Sequence, residues 1–446
     1  MVTSMTSGSP AKLIFLFTVP LFIGNLFQQL YNMADTFIVG RTLGVNALAA
    51  VGCTGSLMFL IIGFAQGLSS GFSILTAQRF GAKDEAGVQR SFVASLVLGG
   101  IIGLVLTVVS VAFARQMLVM LQTPAEILDD AFSYMIVVFA GILATMLFNV
   151  LSNVLRALGD SRTPLLFLSV GCVFNIVLDL ILILFTPLGV MGAGVATVAA
   201  QLFSGLACLW YIAKRFPILR LSRQDWKLTR HDVVQHLRIG LPIAFQTSII
   251  AIGSLILQFV LNGLGSVSVA AFTAASKLEG LGSLPLTSVG VATGTFVAQN
   301  YGAGQIHRIR TGVLQAGGMA LAFSAVMGAV FIAFGAPLSS LFIEGQPQAM
   351  ELAAIYLRVT GICLWVLGLL FLFRYTLQGL GQSFVPTFAG VMELVMRSVG
   401  SLVLVAPLGF TGACISNVSA WVGSAVPLTI AFFLTMRHLS YIRGQR

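Results

Sequence analysis

Charge is scarce in this chain. Of its 446 residues only 9% are Asp, Glu, Lys or Arg, and acids are the rarer sign, 14 against 24 basic residues. A soluble chain of this length would carry about a quarter charged residues and about three domains of ~150 residues. No stretch is long and polar enough for a large soluble catalytic domain, and the alternation of a transmembrane β-barrel is missing too. The five cysteines, Cys53, Cys172, Cys208, Cys363 and Cys414, stand singly in apolar segments. Without a CxxC or a Cys/His cluster they read as packing residues, not as metal or redox ligands. No GxxxxGK[ST] loop is present to cradle ATP, and no GxSxG or HExxH site to carry hydrolysis, so an enzyme is not expected.

What the chain has is apolar length: 57% hydrophobic residues and a mean hydropathy of +0.99. Phe92 to Ala114, Leu180 to Ala213 and Thr311 to Ile343 contain no charged side chain. Each reaches the ~20 residues that cross a hydrocarbon core. Hydropathy and turn signals together place twelve spans, at 13–36, 46–72, 91–113, 128–152, 163–185, 190–213, 235–262, 268–298, 311–337, 349–374, 384–406 and 410–436. The basic residues test this topology, because short cytoplasmic loops are enriched in Lys and Arg. With both termini inside, eighteen of them, from Lys12 through Arg223 to Arg446, fall on one side, and only Arg41 and Arg115 on the other. The net charge of +10 therefore belongs to membrane topology, and no nucleic-acid partner is implied. The polar Met1 to Pro10 stretch reads as a cytosolic tail, not a signal peptide.

Sliding the chain against itself by about 221 residues reveals a repeat. Ala77-Gln78-Arg79-Phe80-Gly81-Ala82 falls on Ala298-Gln299-Asn300-Tyr301-Gly302-Ala303. Leu155 to Pro164 falls on Leu377 to Pro386, Pro187-Leu188-Gly189 on Pro407-Leu408-Gly409, and Pro20 on Pro242. The expected fold is all-α: twelve transmembrane helices in two pseudo-symmetric six-helix lobes. The parts are a tail at 1–12, an amino-terminal lobe at 13–213, a basic linker at 214–238, a carboxy-terminal lobe at 239–436 and a tail at 437–446. Six is even, so both copies insert the same way up, about an axis along the membrane normal with a cleft between them. Such repeats suit alternating access, which makes a transporter the leading reading.

Four acids lie within spans, Asp35, Asp179, Glu279 and Glu393, and each costs roughly 2.5 to 3.5 kcal/mol if left facing lipid. Asp35 ends a row in which Asn25, Gln28, Gln29, Asn32 and Thr36 recur at helical spacing, so this face should line a wet cavity. The plainer alternative is a loop cap beside Arg41. Asp179 is one turn from Asn175, and Asn149 makes the same pair with Asn153. Such a carboxylate among amides can exchange a proton or ligate sodium through oxygens. Asn-rich helix contacts without a transport role are the alternative, and the residues do not choose between the two ions. Glu393 and Arg397 are one turn apart and read as an internal ion pair. Glu279 and Lys277 lie on nearly opposite faces and cannot neutralise each other. Gly63, Gly67 and Gly71 form a small-xxx-small stripe, which reads as helix packing.

Pro20 through Ala50, with Gln28-Gln29-Leu30-Tyr31-Asn32 and Asp35-Thr36, resembles the multidrug and toxic compound extrusion (MATE) family. So do Ala77-Gln78 with Gly81-Ala82, their second-half copy, and Arg156 to Asp160 with Pro164. The resemblance covers essentially the whole chain. It implies secondary antiport, in which cationic or amphipathic organic compounds leave in exchange for protons or sodium. Asp35 matches the first-helix aspartate of bacterial members, and Asn153, Asn175 and Asp179 match the amino-lobe network of the DinF-like branch. The second-lobe acids of NorM-like members are not evident, since the seventh span offers Gln246 and the tenth Arg358 and Cys363. Coupling is therefore assigned to Asp35, Asp179, Asn175 and Asn153, and substrate contact to Gln28, Asn32, Asn149, Gln246 and Glu279. No cofactor is implied beyond the coupling ion, H+ or Na+, and the only metal in view is sodium at Asp35 and Asp179. The expected setting is a monomer in the cytoplasmic (inner) membrane of a bacterium, its partners being small amphipathic or cationic molecules and membrane lipid. A lipid-linked oligosaccharide flippase on the same architecture is the alternative, with a channel or receptor the rival from another class.

Overall fold

A computed structural model describes residues 4–221, 226–343 and 346–444, and among these there is no strand. Arg223 of the linker, Arg446 and the first three residues of the expected tail lie outside the described residues. The helices run in order α1 (Pro10–Leu43), α2 (Val45–Gly81), α3 (Glu85–Met120), α4 (Ala125–Ala140), α5 (Ile142–Ala157), α6 (Arg162–Phe185), α7 (Val190–Arg215), α8 (Arg230–Asn262), α9 (Ser266–Gly302), α10 (Ile306–Ser340), α11 (Pro347–Gly379) and α12 (Phe384–Gly444). The short α4 and α5 meet at Gly141 with a bend of 45° and together form one crossing. α12 breaks at Gly409, where φ is 55°, and supplies two. The chain is thus an all-α, multi-pass membrane protein, with twelve crossings among the described residues. Most helices outrun the hydropathy spans, and two of them start at an acid that accepts from backbone N–H groups. Asp84 accepts from the Gly87 N–H at 2.9 Å to start α3. Asp160 accepts from the N–H groups of Arg162 and Thr163 at 3.1 and 3.0 Å to start α6.

The duplication is written in the backbone as well as in the side chains. Gly189 has φ 54°, ψ −131° and Gly409 has φ 55°, ψ −132°. Left-handed φ values recur at Gly44 and Gly265, at Gly159 and Gly381, and at Lys83 and Gly304. Both copies therefore make their sharp turns at equivalent positions, with glycine at most of them because it carries no Cβ to clash there.

The chain divides into two compact units, one holding Ile23–Ala244 and the other Met5–Phe22 with Phe245 onward. The boundaries do not follow the 214–238 linker. They run inside α1 and α8, in each case two residues after the helix-interior proline, Pro20 or Pro242. The physical reason is packing: Ile14, Phe17 and Leu21 sit in the second unit's core, while Leu237, Leu241 and Ala244 sit in the first's.

Within the first unit α2 lies against α3, α4 and α5, and α7 against α4, α5 and α6. Lipid offers no hydrophobic drive for helix association, so close backbone approach has to supply it. A Cβ on Gly71 would stand 2.6 Å from the Cα of Gly240, so α2 and α8 cross where both lack side chains. In the second unit α11 packs against α9, α10 and α12, and a Cβ on Gly328 would meet the Gly361 carbonyl oxygen at 2.5 Å. The repeated Ala-Gln motif clamps incoming chain in both units. Arg79 donates to Asp232 (3.2 Å) and Gln235 (3.0 Å) at the start of α8. Gln299 accepts from the Met5 N–H (2.8 Å), and Arg308 donates to the Met5 and Gly8 carbonyls (3.1 and 2.8 Å).

Candidate functional site

The first unit gathers a polar cluster from α1, α4, α6 and α7. Asp35, only 7% exposed, and Asp179, fully buried, are direct neighbours there. Asn175, one turn before Asp179 on α6, is also fully buried. Tyr31, one turn before Asp35 on α1, meets Thr197 of α7 with its hydroxyl 3.0 Å from the Thr oxygen. Tyr134 of α4 lies within electrostatic reach of both acids. No protein donor reaches Asp35 Oδ1, either carboxylate oxygen of Asp179, or the amide oxygen of Asn175. Ionised carboxylates only accept hydrogen bonds, so two of them side by side cannot satisfy each other. A proton or a cation between them resolves the conflict. The donor set is all oxygen, which suits sodium or a proton and not a soft transition metal. Among the described residues no group of three or more His, Cys, Asp or Glu forms a metal site.

The other expected coupling residue, Asn153, is half-buried, and its amide oxygen accepts from Arg156 at 3.3 Å within α5. Asn149 is half-buried and its amide nitrogen lacks an acceptor. On α1 Gln28 is half-buried, while Asn32 is exposed and its carbonyl accepts from the Thr36 hydroxyl. The loop-cap alternative for Asp35 does not fit its burial inside the helix bundle.

The second unit holds a different arrangement. Glu279 of α9 accepts from the Tyr356 hydroxyl of α11, and Asn417 of α12 donates to that same hydroxyl at 2.9 Å. Lys277 is exposed and takes no part. Glu393 accepts from Arg397 at 3.1 Å and from Arg374 at 2.9 Å, and all three are buried. Arg397 also lies within electrostatic reach of Glu279, so two acids and two guanidiniums balance inside this unit. Gln246, expected among the substrate contacts, is buried and hydrogen-bonded within this unit. Its amide donates to the Pro386 carbonyl at 2.7 Å and accepts from Gln378 at 2.9 Å, which ties α8 to α11 and α12.

Sequence reasoning missed Thr197, Tyr134, Tyr356, Asn417 and the second guanidinium of Arg374. Tyr31 carried a signal, its place one turn from Asp35. The others sit in apolar runs that give no sign of which helix they will face.

The MatE family model matches this chain twice, over residues 20–181 and 242–403. The chain belongs to the MATE family. The two matches start and end 222 residues apart, the same offset that relates the repeated motifs. The chain is 30% identical to the probable multidrug resistance protein YoeA of Bacillus subtilis over 393 residues, 85% of this chain and 83% of that one. It is 24% identical to the multidrug export protein MepA of Staphylococcus aureus, over 89% of this chain and 87% of that one. Among solved structures, an outward-facing multidrug resistance MATE family transporter of the MOP superfamily superposes with a TM-score of 0.90 at 27% identity, over 98% of each chain. The protein is therefore a MATE transporter and not an enzyme. In that setting buried polar groups are candidates for ion and substrate handling.

Proposed function

We propose that this MATE transporter is a secondary active multidrug exporter that expels cationic or amphipathic organic compounds in exchange for protons or sodium ions. The observation that carries the reading is the pair Asp35 and Asp179, two neighbouring buried acids with three oxygens, Asp35 Oδ1 and both of Asp179, that no protein donor reaches. Loading that pair with a cation favours the state that releases substrate outside. Each ligand acts only through its different affinity for the two states. Tyr31 and Thr197 hold α1 against α7 beside the pair, so a change in its occupancy is transmitted to the helix that carries Gln28 and Asn32. The relatives support the reading, since YoeA and MepA are described as multidrug resistance and export proteins. Glu279, set by Tyr356 and Asn417, is the group offered to a cationic substrate in the second unit. The flippase alternative needs free basic groups for a pyrophosphate, and two of its four candidates, Arg374 and Arg397, are bound to Glu393. The asymmetry of Lys and Arg supports a cytoplasmic-membrane setting with both termini in the cytosol.

Uptake of ethidium into proteoliposomes tests the proposal, with a proton or a sodium gradient imposed separately, for the wild type and Asp35→Asn. Transport driven by one gradient and lost in the variant is the expected result. Folded protein that transports under neither gradient would overturn it.

A further inference from the structure

The segment that joins α7 to α8 is built into the fold at its first half. Phe216 and Leu219 are 3% and 4% exposed and sit in the first unit's core. The turn Pro217–Leu219 packs on α3, and Gln89 of α3 donates to the Arg220 carbonyl at 3.3 Å. With its apolar residues anchored, the segment turns Lys214, Arg215 and Arg220 outward, all three exposed. Trp226, Lys227 and Arg230 are exposed at the start of the return into the membrane. One turn before Lys214, Trp210 is 61% exposed, and the Lys214 ammonium stands 5.0 Å above its ring. Among the described residues, Asp232 is held by Arg79 and Asp84 caps α3, while Glu85 is a further exposed acid at the start of α3.

We propose that this basic ridge is a docking site for the headgroups of anionic phospholipids in the leaflet it faces. Its place decides for lipid over a soluble polyanion. The ridge caps the ends of two membrane-crossing helices, and an exposed tryptophan one turn inside a lysine is the arrangement that sits at headgroup depth. A phosphodiester offers acceptors to Lys and Arg donors. Each basic side chain near an anionic surface contributes about fivefold in affinity, an effect that salt screens. The ridge holds a lipid whether or not the transport reading above is right, because it does not touch the acidic pair.

The test uses full-length protein in detergent and lipids labelled on the acyl tail. Binding of phosphatidylglycerol and of phosphatidylcholine is followed by fluorescence anisotropy at about 50 mM and about 500 mM salt. The wild type should bind phosphatidylglycerol at least tenfold tighter at low salt and lose most of that preference at high salt. The combined variant Lys214→Gln, Arg215→Gln, Arg220→Gln, Lys227→Gln should lose it at low salt, while Arg41→Gln with Arg115→Gln keeps it. Equal affinity for the two lipids would overturn the proposal, as would a preference that survives the four substitutions. Displacement of the lipid by equimolar glycerophosphate or a DNA oligonucleotide would also overturn it, by showing a general anion site. If the combined variant does not fold, the wild-type salt series and the single variants Lys214→Gln and Arg220→Gln, each expected to lose about fivefold, decide it.

Discussion

Arg374 and Arg397 converge on one carboxylate: the two guanidiniums lie 2.9 and 3.1 Å from opposite oxygens of Glu393, and all three side chains are buried. Removing the shared acceptor takes the hydrogen-bonded counter-charge from two buried cations, which costs about 3–5 kcal/mol. Glu393→Gln should therefore lower expression and melting temperature sharply. The triple replacement Glu393→Leu, Arg374→Met, Arg397→Met should regain much of the stability, because no buried guanidinium is then left without its carboxylate. Thermal unfolding in detergent measures both. A Glu393→Gln protein as stable as wild type would contradict the structural role.

The acidic pair of the first unit behaves in the opposite way. Asp35 and Asp179 are neighbours, and no protein donor reaches Asp35 Oδ1 or either oxygen of Asp179, so neutralising one relieves repulsion. Asp35→Asn and Asp179→Asn should each abolish coupled export while the melting temperature holds or rises. Export in cells together with melting in detergent separates this outcome from simple misfolding. Full transport by either variant at normal expression would remove that residue from the coupling mechanism.

Glu279 is expected to act on substrate charge. Glu279→Gln should weaken apparent affinity for a cationic compound by about tenfold, the loss of one charge-assisted contact. A neutral compound of similar size should be exported as before. Competition assays in proteoliposomes give the ratio, and an equal loss for both compounds would assign Glu279 to structure alone.

Helix contact makes a simpler prediction. A Cβ at Gly71 meets the Gly240 backbone at 2.6 Å, whereas one at Gly52 meets nothing within 4 Å. Gly71→Val should destabilise by about 1–3 kcal/mol through overpacking, and Gly52→Ala should be neutral or slightly stabilising. Melting curves of the two variants, compared side by side, check the crossing of α2 and α8.

The twelve crossings and the duplication were legible before any coordinates, because both rest on signals local in the chain. Uncharged runs such as Thr311 to Ile343 state their own burial in lipid, and Pro187-Leu188-Gly189 repeated at Pro407 states the offset. Asp35 and Asp179 could be named for the same reason, since an acid inside a span is costly wherever the span goes. Helical periodicity gives a residue's face but not the neighbour of that face. That Asp35 meets Asp179, that Glu279 is held by Tyr356 and not by Lys277, and that Gln246 bonds Pro386 and Gln378 were decided only when the helices assembled. The same holds for the boundary of the two units, set inside α1 and α8 at the prolines where apolar contacts change partner, and not at the charged linker that hydropathy makes conspicuous.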